Sequence, residues 1–82
     1  AQIKVSDKIE LAAIMNVAEN HCGVNFGPRV AFATMDAAKE MGISVEAAAV
    51  LADARHSEIQ AYLKKHRKLD AFCANARAGR LQ

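Results

Sequence analysis

The sequence predicts an all-α fold, a compact bundle of four to five helices built by residues 1–82 as a single domain. Two observations predict it, in a chain of 82 residues of which 18 are alanine. The four Gly and one Pro sit at a few positions that cut the chain into helix-length segments. Within those segments apolar residues recur three and four apart, the spacing of one helix face. A chain this short supports one hydrophobic core and not two. Because so much of its apolar content is alanine, each helical turn buries little area, and a homodimer that adds burial is expected.

After a short extended AQIKV, Asp7 with Glu10 three residues on gives a capping-box-like start to a first helix running to about Asn20. Its apolar residues, Ile9, Leu11, Ala12, Ala13, Ile14, Met15, Val17 and Ala18, are too many for one solvated helix, which predicts burial on two sides. HCGVNFGP, residues 21–28, is a loop by its Gly and Pro content, with Val24 and Phe26 folded back onto the core. Pro28 suits the first position of a second helix, and Gly42 suits its left-handed C-terminal cap. Met15, Met35, Met41, Phe26 and Phe32 are expected in the core; if Phe32 and Met35 were exposed they would mark a dimer or partner groove.

Ser44 is a good N-cap for the next helix. From Val45 to Ala78 there is neither Gly nor Pro, so one helix of about 50 Å is possible at 1.5 Å per residue. The apolar pattern favours a break. Ala48, Leu51 and Ala52 form one stripe and Ile59, Tyr62 and Leu63 another, with Arg55 and His56 where the two should join. Ser57 with Gln60 is a second capping box just after that gap, so a turn is expected between Asp53 and Ser57. Leu69, Phe72, Cys73 and Ala76 then form a last apolar group, ending at Gly79, that either continues the preceding helix or makes a separate one.

The net charge of +2 hides an asymmetry: residues 1–54 sum to −3 and residues 55–82 to +5. A basic half beside an acidic half suits a polyanionic partner or docking by opposite charge. Cys22 and Cys73 are too few and too far apart for a disulfide framework, which predicts buried thiols and a cytoplasmic protein. No apolar run approaches a membrane span, AQIKVSDK lacks the apolar core of a signal peptide, and the initial Ala fits loss of an initiator Met.

The segment SVEAAAVLADARHSEIQAYL, Ser44 to Leu63, resembles the helix-turn-helix of small bacterial and phage DNA-binding regulators. Ala49 stands where the two helices of that motif cross. Ala54 stands at the apolar turn position, and Ile59, Tyr62 and Leu63 at the inward positions of the second helix. Two residues depart from the pattern: Asp53 replaces the turn Gly, and Arg55 replaces the small capping residue. The resemblance implies double-stranded DNA as partner, with a recognition helix starting near Ser57 in the major groove. Arg55, His56, Ser57, Gln60 and Ala61 would then face bases, and Lys64, Lys65, Arg67 and Lys68 would hold phosphates.

Other chemistries find less support. His21, Cys22, His56, His66 and Cys73 include zinc-ligand types but lack the C-x-x-C or H-x-x-x-H spacing that presents two ligands from one element, so no metal or other cofactor is expected. The acidic residues are scattered singly, and nothing marks a Cys–His pair with an oriented base, so the chain is not expected to be an enzyme. Two functions remain: a DNA-binding transcriptional regulator, or a helical interaction module, adaptor or inhibitor, whose basic C-terminal helix docks on an acidic protein partner.

Overall fold

Ser6, not Asp7, opens the first helix. Its backbone is extended, and its side chain accepts the Lys8 N–H at 3.1 Å, which leaves Glu10 free of any capping role. The computed structural model describes residues 5–80, so most of the expected extended AQIKV lies outside the described residues. Helix α1 (Asp7–Cys22) is followed by α2 (Arg29–Met41), α3 (Val45–Lys65) and α4 (Leu69–Arg77), and no strand occurs among the described residues.

The caps are set by local chemistry. Gly23 ends α1 in the left-handed conformation. The loop that follows is tied down by two side chains: Glu19 accepts the Phe26 N–H at 3.0 Å, and Asn25 accepts the Gly27 N–H at 2.8 Å. Pro28 caps α2 with its carbonyl, which accepts from Phe32 at 3.0 Å. Gly42 (φ 67°) ends α2, with Ile43 N–H reaching back to Ala38 at 3.0 Å. Ser44 caps α3 by accepting the Ala47 N–H at 3.0 Å.

Helix α3 is unbroken through Asp53–Ser57, contrary to the turn expected there. The stripe does not stop at Arg55 and His56, because both side chains are partly buried against α1. Arg55 forms a forked ion pair with Glu10, at 2.6 and 3.0 Å, and the His56 ring packs edge-on to His21 with centroids 6.0 Å apart. Ala48 and Ala52 are buried and Ala49 is exposed, so the helix phase is one residue away from a motif crossing at Ala49. Ser57 is an ordinary exposed position inside a helix, and α4 is a separate fourth helix.

Helix α1 is the spine. The core is three layers along it, each dominated by small residues. Ile9 meets Ala37, Ala38 and Ala48 at one end. Ala12 and Met15 meet Ala33 and Ala52 in the middle, covered by Leu11, Phe26 and Val30. Ala18 and Cys22 meet Cys73 and Ala76 at the other end, covered by Val24, Phe26, Leu69 and Phe72. The burial of α1 against all three other helices and the return of Val24 and Phe26 to the core follow the sequence pattern. Met15 is buried and Met41 packs at the core edge, but Phe32 and Met35 are 55% and 51% exposed, contrary to their expected place inside.

The two cysteines are bonded to each other rather than free. The Cys22–Cys73 disulfide joins the last residue of α1 to the middle of α4, with Cα atoms 5.1 Å apart. Helix α4 buries only Cys73 and Ala76, and it touches α1 and α3 but not α2. Leu69 and Phe72 pack against the Cys22 end of the core, and the disulfide adds a covalent tether to it.

Candidate interaction surface

The residues expected to read bases divide by face. Arg55 is turned to α1 and engaged with Glu10, and His56 is partly buried with its Nε2 enclosed and lacking a hydrogen-bond partner among the described residues. Ser57 and Ala61 are exposed, while Gln60 is partly buried. These five therefore form no single outward face.

Hydrogen bonds from Arg55 hold the Glu10 carboxyl below the usual carboxylate range; partial burial opposes this, and the Arg55 charge adds to it. A carboxyl depressed in the folded state stabilises the fold above its unfolded pKa, and that stabilisation is lost as pH falls through the folded value. Both side chains are more than two-fifths exposed, so the contribution is under about 1 kcal/mol. Glu10→Gln is expected to flatten the acid limb of a urea-midpoint against pH curve just below the ordinary carboxylate range. Identical limbs in the two proteins would show that the pair does not stabilise the fold.

The phosphate-contact candidates do converge. Lys64, Lys65, Arg67 and Lys68 are all exposed and surround the α3–α4 turn. That turn has a specific geometry. Arg67 N–H donates to Lys64 at 3.2 Å and Lys68 N–H to Leu63 at 2.8 Å, the paired bonds of a Schellman cap. Arg67 takes the left-handed position, φ 54°, where glycine is preferred. Among the described residues it is the one non-glycine with positive φ. The chain thus carries a cation at a position that costs an L-residue roughly 1–2 kcal/mol.

Tyr62, expected to point inward, is 51% exposed beside this turn. The Lys68 ammonium lies 5.5 Å from its ring centroid and 3.4 Å from its hydroxyl, and the His66 ring is 4.5 Å away. The four-residue spacing of Tyr62 and His66 within a basic run is the signal that would have found it. Tyr62 also lines a groove between α1, α3 and α4 with Ile14, Ile59, Leu63 and Phe72. Glu10, Arg55 and Glu58 line it as well. An apolar trough therefore adjoins a cluster of cations.

No family model matches the chain, and comparisons with curated proteins and with solved structures gave no significant match. No helix among the described residues is long and apolar enough to cross a membrane.

Proposed function

We propose that the chain is a helical interaction module that docks an acidic protein segment carrying an apolar anchor. The anchor enters the trough beside Tyr62, and the acidic residues meet Lys64, Lys65, Arg67 and Lys68. The observation that carries this reading is Arg67: a charged side chain held at a glycine-favoured position presents a cation at a conformational cost, as functional positions do. A short acidic surface suits the cluster better than a long polyanion, because residues 1–54 carry a net −3 that repels an extended phosphate track. The unbroken α3 favours this reading over a recognition helix beginning near Ser57. The Cys22–Cys73 bond supports work in an oxidising compartment rather than the cytoplasm.

Fluorescence anisotropy with a labelled Glu-rich peptide containing Leu and Phe anchors tests the reading, with the same peptide lacking anchors and a random duplex DNA in parallel. The anchored peptide is expected to bind tightest, with affinity falling as salt rises. Binding of the duplex alone would restore the DNA reading, and binding of none of the three at low salt would remove both. Arg67→Gly and Arg67→Ala sharpen the test. Each should weaken the anchored peptide, but Arg67→Gly should also stabilise the fold by about 0.5–1 kcal/mol while Arg67→Ala does not, because only glycine relieves the left-handed strain.

A further inference from the structure

The outer face of α2 is self-complementary, and we infer that it pairs two copies of this chain. Helix α2 packs inward through Ala33, Thr34, Ala37 and Ala38, which leaves Phe32 and Met35 exposed on the opposite side. On a helix of 3.6 residues per turn, Pro28, Phe32, Met35 and Lys39 form one outward stripe, and Arg29 and Asp36 flank it on the same edge.

A two-fold axis crossing this stripe between Phe32 and Met35 sets α2 antiparallel to its copy. Phe32 then meets the second copy's Met35, a favourable sulfur–aromatic contact made twice, and the Lys39 stem lies over the second copy's Pro28. The edge charges complete the match. Antiparallel pairing brings Arg29 beside the second copy's Asp36, again twice, whereas a parallel two-fold would carry the charged edges of the two copies to opposite sides of the interface. Arg29 forms no ion pair with an acidic residue among the described residues; its guanidinium lies over the Phe26 ring at 5.2 Å. Such i-to-j and j-to-i complementarity on one patch is the requirement of an isologous interface. The occupant is a second copy rather than another protein because the charge order along α2, basic then acidic, is the order its own reversal satisfies. The inference is independent of the basic turn, which lies on another face.

Sedimentation equilibrium and heteronuclear mixing test it. The unaltered chain is expected to form a concentration-dependent dimer, and Phe32→Glu to be monomeric with an unchanged helical spectrum. Arg29→Asp alone and Asp36→Arg alone each place like charges across the axis twice and should weaken self-association about tenfold or more. Mixed in equal amounts, the two variants should recover dimers, now heterodimers in which both edge pairs are attractive. Asp36 also lies 3.7 Å from Lys8, and Arg29 Nε donates to the Phe26 carbonyl at 3.4 Å, so the recovery on mixing, which neither internal contact produces, is the deciding readout. A chain that stays monomeric at high concentration overturns the proposal. So does a dimer indifferent to Phe32→Glu, or variants that each dissociate and do not recover on mixing.

Discussion

Removing the Cys22–Cys73 bond, by reduction or in a Cys22→Ala, Cys73→Ala chain, is expected to lower stability by about 4 kcal/mol. The bond spans 51 residues, and the chain-entropy model gives a loss of about that size for such a loop. A domain of this length has roughly 4–12 kcal/mol in total, so the change decides whether the fold persists on warming. At about 4–8 °C per kcal/mol for a small domain, the melting midpoint should drop by about 15–30 °C, read by circular dichroism with and without reductant. The loss should begin at α4. That helix has nine residues and two buried side chains, one of them Cys73, and an isolated helix so short does not hold together in water. Amide exchange should therefore accelerate over residues 69–77 on reduction before it does over α1. A melting point unmoved by reduction, or uniform exchange across α1 and α4, would show that α4 is held by packing instead.

What the sequence made legible was local. Ser44 and Gly42 act at their own helix ends, so their caps follow from residue type alone, whereas Pro28 stands one position before its expected place, as the N-cap of α2. The unbroken path of α3 was not legible. Arg55 and His56 interrupt an apolar stripe on paper, and what lets the helix run through them lies elsewhere on the chain, Glu10 at a separation of 45 residues and His21 on the same helix as Glu10. The disulfide was hidden for the same reason, since nothing near either cysteine signals the other. Of the candidate site, the charge cluster Lys64–Lys68 was legible as composition, but its left-handed Arg67 depends on where α3 stops, which the apolar pattern did not give. The face of α2 misled in a different way: size argued for Phe32 and Met35 inside, whereas the helix crosses its neighbours on alanines.

That alanine core carries the second large expectation. Ala37 and Ala48 are fully buried and Ala38 nearly so, in one layer with Ile9. Helices that meet on methyl groups approach closely, and a larger side chain at the crossing has no cavity to enter. Ala37→Leu or Ala48→Leu adds three carbon atoms there and must push α1, α2 and α3 apart, which should cost about 3 kcal/mol, the upper end of the range for overpacking. Truncation is milder. Val17→Ala, at the largest fully buried side chain, removes two carbons and should cost about 2 kcal/mol. Ala61→Leu on the exposed face of α3 should be close to neutral, because leucine and alanine have similar helix propensity. Urea titrations of these variants rank them, and a Leu at position 37 tolerated as well as one at 61 would mean that the crossing is loose. If the ranking holds, Phe32→Ala and Met35→Ala should barely change monomer stability while abolishing self-association. The close alanine crossing that excludes those two side chains from the core is also what leaves them available to a second copy of the chain.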